Sequence, residues 1–384
     1  MNIVHCSRSD YIPGSRLEMT ITHTEIWKLS IPMHPFTIAT GTMHFAQNIF
    51  IRVHTSGGLY GVGECSAFPM IVGETQATCF EMAKDFAALW KHKDASAITE
   101  RMQQLHDFTA FNSTIKSAFD MALYDLAAKS AGLPLYQFLG GKIREMETDL
   151  TIGIGTPDHM ASQAADFVKR GVRLIKVKLG KDAAEDITRV KVIREAAGPQ
   201  IVLRIDANQG WSNADAIKAL TGMADDNIQF CEQPMRRWND HHLPALRRIS
   251  PIPLMADESV FDSHDAERII SAGSCDFVNI KFSKSGGILE ATKITEVCGK
   301  YNIPCMMGGM LESRLALTTF AHFTLAHENI IFYDMDTCLL GHITDPVTGG
   351  ARYNGFYVEV PASAPGIGAD IEESFLQKCE KALV

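Results

Sequence analysis

The chain has 384 residues, of which 46% are hydrophobic and 21% are charged, a composition typical of globular proteins and not of disordered or fibrous ones. Its 45 acidic and 36 basic residues give a net charge of −9 without a long basic run, which argues against a nucleic-acid partner. No stretch reaches about 18 consecutive apolar residues, so the sequence predicts no membrane span. The nine cysteines form no CxxC pair and are odd in number, which favours reduced thiols and a cytoplasmic location over a disulfide framework.

The first part of the chain divides into a polar segment and an α+β domain. Residues 1–18 contain Pro and Gly and lack the apolar core of a signal peptide, so we expect a flexible extension, with Met19 as an alternative start. Within residues 19–145, alternating runs over 20–60 predict β-hairpins, and a largely helical stretch follows over 74–132. Strands followed by helices indicate an α+β domain.

Short apolar runs recur over residues 146–340, with starts 24 to 28 residues apart and amphipathic stretches between most of them. This alternation predicts a parallel sheet. Eight units without a GxGxxG opening favour a closed (β/α)8-type barrel over a doubly wound sheet. The Gly- and Pro-rich tail, 341–384, is expected to pack back on the first domain. The eight runs are DLTIGIG from 149, LIKVK from 174, IVLRID from 201, IQFCE from 228, PLMAD from 253, FVNIK from 277, IPCMMG from 303 and IFYDMD from 331.

Charged residues end most of these runs. Because barrel enzymes carry their active groups at the carboxyl ends of the strands, we expect these side chains to meet in one mouth. Any one of them could be a solvated loop start, but the joint pattern is hard to explain in that way. The residues are Lys176, Lys178, Asp206, Glu232, Asp257, Lys281, Asp334 and Asp336.

Three carboxylates on adjacent strands, Asp206, Glu232 and Asp257, predict a metal site of hard oxygen ligands. Mg²⁺ prefers such ligands, whereas zinc would more often recruit His or Cys, and neither ends these strands. Without a cation, three converging carboxylates would repel one another and one would have to take up a proton. The pattern therefore favours a magnesium site.

Lysines flank this metal site on both sides. Lys178 precedes the metal strands and Lys281 follows them, so the two amines approach from opposite walls of the barrel. We expect burial and neighbouring cations to lower the lysine pKa and so to make an amine a usable base. Lys176, on the same strand face as Lys178, can add positive charge and contact a substrate carboxylate. Two facing bases suit racemisation or epimerisation α to a carboxylate, whereas a one-base elimination needs a single lysine.

With these motifs the chain resembles the muconate-lactonising subgroup of the enolase superfamily, from about residue 20 to its C-terminus. The KxK pair, the three carboxylates and the later lysine match the subgroup's pattern, and SAFDMALYDLAAKSAGLPLYQFLGG resembles its domain-junction signature. The resemblance implies an α/β fold in which a modified TIM barrel, (β/α)7β, carries an N-terminal α+β capping domain. It also implies that capping loops near 38–45 and 65–73 close over the barrel mouth and shape substrate specificity.

The eighth run ends in a DxD motif, Asp334 and Asp336. On a strand these carboxylates would share a face and attract a cation such as an ammonium group. The motif resembles that of dipeptide epimerases of the L-Ala-D/L-Glu epimerase type, which bind with it the α-ammonium of an L-Xaa-Xaa dipeptide, and MMGGMLESRL (306–315) resembles their seventh-strand region. The resemblance thus implies a small dipeptide substrate epimerised at its C-terminal residue. Further implied substrate contacts are Thr151, Gly308 and Met310.

One position departs from the L-Ala-D/L-Glu pattern. Those epimerases carry an arginine in the first capping loop for the glutamate side chain, whereas the segment FTIATGTMHF places Gly41 there. The second residue of the dipeptide is therefore expected not to be Glu. For five nearby side chains, an apolar specificity pocket and an ordinary core are equally compatible with the sequence: Met43, His44, Phe45, Phe68 and Met70.

Two other functions stay open. The first is a lyase or cycloisomerase of the same subgroup (o-succinylbenzoate synthase, N-acylamino acid racemase or muconate cycloisomerase type) that uses Lys178 as its sole base. The second is a binding protein without turnover, which a full set of ligands and bases disfavours. Both a monomer and a homo-oligomer are compatible with the sequence. Histidines that end no strand, such as His322, are expected to pack or to lie at the surface.

Overall fold

A computed structural model describes residues 18–384, so the predicted extension over 1–18 lies outside the described residues except for its last position. The described chain forms an antiparallel sheet with packed helices, then an eight-stranded parallel sheet with crossover helices, then a segment of short strands. This confirms the predicted fold class of a modified barrel with an α+β cap. Within residues 18–384, no helix is both long and apolar enough to cross a membrane.

The capping domain is a β-hairpin with a third strand, covered on one face by helices. Its elements are β1 (Ile21–Ile38), β2 (Gly41–Thr55), β3 (Tyr60–Ser66), α1 (Pro69–Val72), α2 (Gln76–Trp90), α3 (Ile98–Phe108), α4 (Ser113–Ser130) and α5 (Leu135–Phe138). Helix α4 approaches β3 so closely that a Cβ on Gly61 or Gly63 would lie about 2 Å from a carbonyl oxygen of α4. Glycine is therefore required at both positions for the helix to seat on the sheet.

The barrel consists of eight parallel strands, with a crossover helix after each of the first seven. Its elements are β4 (Leu150–Ile152), α6 (Pro157–Lys169), β5 (Leu174–Lys178), α7 (Ala183–Ala197), β6 (Val202–Asp206), α8 (Asn213–Gly222), β7 (Ile228–Glu232), a 3₁₀ helix (Arg237–His242), α9 (Leu243–Ile249), β8 (Leu254–Ala256), α10 (Ser263–Ser271), β9 (Phe277–Ile280), α11 (Phe282–Ser285), α12 (Ile288–Lys300), β10 (Cys305–Gly308), α13 (Arg314–Ala326), β11 (Ile330–Asp334) and α14 (Thr337–Leu340). The strands follow one another in chain order from β4 to β11. A backbone bond from the Asp149 N–H to the Tyr333 carbonyl, 3.3 Å long, joins the two ends and nearly closes the barrel.

The last segment runs back from the barrel to the cap. It contains β12 (Val347–Gly349), β13 (Arg352–Asn354), β14 (Tyr357–Glu359), β15 (Ala369–Ile371), α15 (Glu373–Leu376) and β16 (Lys381–Leu383). Strand β16 pairs antiparallel with β1, and Asp370 lies 2.8 Å from Arg52 of β2. The end of the chain is thus part of the capping sheet.

An apolar floor fills the barrel beneath its mouth. Phe230, Met255 and Phe332 each lie two residues before a charged residue that the sequence analysis singled out, Glu232, Asp257 and Asp334. Because side chains on one face of a strand repeat every second residue, the strand that presents a charge to the mouth also supplies the apolar side chain below it. The floor cluster is Phe230, Met255, Phe277, Met306 and Phe332.

Carboxylates of the capping domain cap two helices of the barrel. Glu64 of β3 accepts hydrogen bonds from the Ser313 N–H (2.8 Å) and hydroxyl (2.6 Å) at the start of α13. Asp120 of α4 accepts from the Ile288 N–H (2.5 Å) at the start of α12, and burial raises the pKa of Asp120 to about 8. Since a helix N-terminus offers unpaired N–H groups and a positive dipole end, these contacts hold the cap in a fixed position over the barrel.

His322 of α13 is a buried packing residue, one of the two roles expected for it. Its Nδ1 accepts the Tyr136 N–H (3.1 Å), and its Nε2 lies 3.1 Å from the Ile367 carbonyl, which requires the proton on Nε2. The ring thereby joins the barrel to α5 and to the C-terminal segment. Burial lowers the pKa of His322 to about 4, because a second proton would be desolvated and would break the bond to Tyr136.

Acidification is therefore expected to destabilise the protein through His322. A histidine with a native pKa of about 4 and an unfolded pKa of about 6.5 contributes full stability above the unfolded value and loses it as the pH falls towards the native value. At pH 5 the loss amounts to about 2 kcal/mol. Urea denaturation at pH 7.5 and pH 5 should show a smaller pH effect for His322→Gln than for the wild type. His264→Gln, at an exposed site of α10, is the matched control. An equal pH effect in His322→Gln would contradict the assignment.

Candidate active site

The carboxyl ends of the barrel strands carry a buried layer of charge. Lys176 and Lys178 stand on β5, Asp206 ends β6 and Glu232 ends β7. Asp257 and Lys281 come directly after β8 and β9, and all six residues are at most 8% exposed. Strands β5 and β9 stand four positions apart in the eight-stranded order, so Lys178 and Lys281 face each other across the row of three carboxylates.

The DxD motif is built differently from the expectation. Strand β11 ends at Asp334, and Asp336 lies beyond it with near-helical backbone angles (φ −102°, ψ −5°). The inference that the two carboxylates share a strand face was therefore wrong. The carboxylates still come together, because a turn of the chain brings Asp336 back over β4, where its Oδ2 accepts the Thr151 N–H at 2.7 Å.

Ion pairs connect the lysines to the carboxylates. Lys178 Nζ lies 2.6 Å from Asp206 Oδ2, and Lys281 Nζ lies 2.7 Å from Asp257 Oδ2. Lys176 Nζ is shared: it lies 2.7 Å from Glu232 Oε2 and 2.6 Å from Asp334 Oδ2. Every lysine that the sequence analysis singled out is thus held by a carboxylate of the same layer.

These pairs set the direction of the pKa shifts. Burial lowers the pKa of Lys281, but the charges of Asp257 and Glu232 outweigh it and the net pKa lies above its ordinary value. The pKa of Lys281 is therefore not lowered by these residues alone. The pKa of Lys176 also lies above its ordinary value, because neighbouring carboxylates outweigh its burial. Among the acids, burial and the Asp206 charge raise the pKa of Glu232 to about 7, whereas Lys281 and Lys284 overcome burial and hold Asp257 well below its usual range.

Among residues 18–384, several buried oxygen atoms of the site make no hydrogen bond of suitable geometry. Glu232 Oε2 and Asp257 Oδ1 are buried without an aligned hydrogen bond, although a lysine Nζ lies within 2.7 Å of each. Asn208 Oδ1, two residues after Asp206, and Glu258 Oε2, directly after Asp257, are also buried without a partner in the described part of the chain. Mg²⁺ binds hard oxygen ligands, and oxygens whose hydrogen-bonding capacity is unfilled are available to it. The residues present therefore fit the ion.

The closest cluster of acidic side chains is not the predicted metal site. Among residues 18–384, the one set of three His, Cys, Asp or Glu side chains with ligand atoms all within 4.8 Å of one another is Asp149, Asp334 and Asp336. Asp206, Glu232 and Asp257 do not meet that criterion; Lys176 Nζ lies 3.4 Å from Asp206 Oδ2, and Lys281 Nζ lies 3.7 Å from Glu232 Oε1.

Sequence reasoning missed several residues of this layer. Asp149 and Arg204, 2.7 Å apart, lie two positions before Thr151 and Asp206, so the alternation of β4 and β6 could have identified both. Lys284 requires the tertiary structure: its Nζ lies 2.6 Å from Asp257 Oδ1 and bonds the carbonyls of Asp257, Val260 and Asn279. Lys284 is therefore a buried support for Asp257.

A cavity of about 650 Å³ opens beside Asp334, Asp336 and Lys178, between the β1–β2 hairpin and the barrel. Thr151 and Met310 line it, but Gly308 does not: its α-carbon faces Asn279, 2.5 Å from where a Cβ would lie. The five side chains considered for an apolar pocket are not among the lining residues. Met43 and Phe68 are buried in the core, and Phe45 is 52% exposed. The apolar wall is formed instead by Met33, Phe36, Ile154, Met310, Leu311, Leu339 and Leu340.

Comparison with known proteins agrees with this geometry. Residues 21–140 match the family model of the mandelate racemase / muconate lactonizing enzyme N-terminal domain, and residues 159–375 match the enolase C-terminal domain-like model. The chain is 43% identical to the D-Ala-D/L-Ala epimerase of Cytophaga hutchinsonii over 95% of this chain and 100% of that protein. It is 39% identical to the hydrophobic dipeptide epimerase of Enterococcus faecalis over 87% and 94% of the two chains. The Cytophaga hutchinsonii dipeptide epimerase crystallised with Mg and D-Ala-L-Val superposes with a TM-score of 0.94, covering 95% and 100%.

Mg²⁺ is expected to raise the melting temperature of the protein, because a ligand that binds only the native state stabilises it by about 2.7 kcal/mol at a hundredfold excess over its Kd. EDTA should reverse the shift. Asp257→Asn and Glu232→Gln should each abolish most of it, while Glu195→Gln, at an exposed site of α7, should retain it. Differential scanning fluorimetry provides the measurement. An undiminished shift in both site variants would mean that the ion binds elsewhere.

Proposed function

The chain belongs to the mandelate racemase / muconate lactonizing enzyme family of the enolase superfamily, and from that premise we propose that it is a dipeptide epimerase. It would invert the α-carbon of the C-terminal residue of an L-Xaa-Xaa dipeptide. The observation that carries the proposal is the pair of buried lysines on strands that stand on opposite sides of the carboxylate row, with Lys178 lining the same cavity as the acidic DxD motif. The relatives named as dipeptide epimerases, which cover most of the chain, support the same reaction.

In the proposed reaction, Lys178 and Lys281 exchange a proton with opposite faces of the substrate α-carbon. The neutral amine of one lysine takes the α-proton, and the electron pair of the C–H bond moves into the carboxylate to give an enediolate. The ammonium of the other lysine then returns a proton on the opposite face. Lys176 contacts the substrate carboxylate. Asp206, Glu232 and Asp257 would hold Mg²⁺, which when bound supplies positive charge that stabilises the enediolate and lowers the lysine pKa.

The other end of the dipeptide is assigned to the DxD motif. Asp334 and Asp336 line the cavity, and the Thr151 N–H holds the Asp336 carboxylate in position. Their negative charge supports capture of the α-ammonium group. Thr151 and Met310 would contact the dipeptide directly. Gly308 remains part of the proposal, although it lies behind the lining residues.

The residues of the cavity wall indicate which dipeptide side chains the site would accept. The hairpin segment over residues 33–45 contains no arginine, and Phe36, Leu339 and Met310 give the cavity an apolar wall. This supports a second residue other than Glu. The dipeptide is the small-molecule partner, and both a monomer and a homo-oligomer stay open. All eight cysteines among residues 18–384 are free, which supports the proposed cytoplasmic location.

Exchange of the α-proton is the direct test of the reaction. In D₂O with Mg²⁺, the protein should incorporate deuterium at the second residue of some members of an L-Ala-L-Xaa library, read by mass spectrometry. Members with apolar second residues should react faster than L-Ala-L-Glu, because residues 33–45 of the hairpin contain no arginine and Phe36, Leu339 and Met310 form an apolar wall of the cavity. No exchange across the whole library would overturn the dipeptide assignment. Turnover of N-acylamino acids or lactonisable acids instead would favour the alternative functions of the subgroup.

The two-base mechanism predicts a different defect for each lysine. Lys178→Ala and Lys281→Ala should each lose epimerisation by about 10²–10⁴-fold, the usual contribution of a general base. Each variant should still exchange the α-proton of one epimer, since one face keeps its base. Proton NMR in D₂O on both epimers separates the two cases, and Lys191→Ala at an exposed site of α7 is the control. Substantial turnover by Lys281→Ala would indicate the one-base lyase or cycloisomerase.

A further inference from the structure

We propose that Asp149 is a third carboxylate of the ammonium subsite and forms its floor beneath Asp334 and Asp336. This inference rests on the proposed dipeptide function. Asp334, Asp336 and Thr151 line the cavity, whereas Asp149 is fully buried and does not line it. Since an oxygen of Asp149 lies within 4.8 Å of oxygens of both Asp334 and Asp336, a group held by those two acids would come close to Asp149.

The three carboxylates are close enough together for one ammonium group to reach all of them. One oxygen of each lies within 4.8 Å of the others, so a single point exists that is no more than about 2.8 Å from all three oxygens. That is the length of a hydrogen bond between an ammonium and a carboxylate. An ammonium group has three N–H donors, one for each of the three acids.

Among the described residues, the cluster has three carboxylates but only two paired cations. Asp149 Oδ2 is paired with Arg204 (2.7 Å), and Asp334 Oδ2 is paired with Lys176 (2.6 Å), which Glu232 shares. Within the described part of the chain, no Lys, Arg or His nitrogen lies within ion-pair distance of Asp336. A monovalent cation would therefore balance the cluster, and the α-ammonium of a dipeptide is such a cation.

The second oxygen of Asp149 separates this role from that of a counter-ion. If Asp149 served only to neutralise Arg204, its bond through Oδ2 would be sufficient. Its Oδ1 is buried and has no hydrogen-bond donor among residues 18–384. A buried acceptor without a donor is unfavourable unless a ligand supplies one, so Oδ1 indicates a donor that arrives with the substrate.

Two ligands that differ only in the ammonium group test the proposal. L-Alanylglycine has no stereocentre at its second residue, so the reaction would not convert it into a different compound. Propionylglycine carries a hydrogen atom in place of the ammonium group and is otherwise the same. The Kd of each ligand is measured by calorimetry with Mg²⁺ present. Asp149→Asn should raise the Kd of L-alanylglycine by about tenfold or more, which corresponds to the loss of a charge-assisted hydrogen bond. The Kd of propionylglycine should change by no more than about twofold. Equal weakening of both ligands would show a merely structural role and overturn the proposal.

The double variant Asp149→Asn/Arg204→Gln tests the counter-ion role directly. It removes both charges of the pair, so it would restore the preference for L-alanylglycine if Asp149 acted only through Arg204. We expect the preference to stay lost, and restoration would overturn the proposal. A retained melting shift with Mg²⁺ reports that the barrel mouth of each variant is folded.

The wild type distinguishes this inference from the proposed function. A wild type that prefers L-alanylglycine but exchanges no α-proton would overturn the epimerase assignment and leave the comparison with Asp149→Asn valid. A wild type without any preference for the ammonium ligand would overturn the ammonium subsite, and Asp149 with it.

Discussion

The mutual neutralisation of buried charges at the barrel mouth is the interaction on which the rest of the structure depends. Lys176, fully buried, lies against Glu232 and Asp334, and neither it nor they could remain ionised there alone. The strand geometry makes the arrangement possible, because eight parallel strands each direct every second side chain into one small volume. An apolar floor packs beneath these pairs, and surroundings of low polarity strengthen the attraction between opposite charges.

The sequence was sufficient to predict the barrel and most of the charged layer, because both follow from local periodicity. The interval between apolar runs predicts strand–helix alternation, and the charged residue at the end of each run predicts the mouth. Asp336 shows the limit of this reasoning. Its position was expected from strand alternation, but the strand ends two residues earlier and a turn brings the carboxylate into the site. The neighbours of a side chain beyond a strand depend on the path of the loop, which periodicity does not describe.

Contacts between distant segments were also beyond the reach of the sequence. Glu64 and Asp120 read as ordinary acids in a strand and a helix, yet both cap helices of the barrel more than 150 residues later. Lys284 likewise could not be separated from the catalytic candidates without knowing which carbonyls surround it. The pKa of Lys281 depends on tertiary contacts in the same way, because Asp257, which raises it, comes within 3 Å of the amine only in the folded chain.

Lys176 couples binding at one end of the site to binding at the other. Its ammonium lies between Glu232, in the carboxylate row, and Asp334, in the DxD motif. A positive charge that arrives at either carboxylate competes with Lys176 for it and strengthens the hold of Lys176 on the other. Occupation of one end thereby changes the free energy of binding at the other, and the coupling is reciprocal. If the chain is the dipeptide epimerase proposed above, a dipeptide with a charge at each end would be recognised as a whole, because Lys176 couples the two ends of the site.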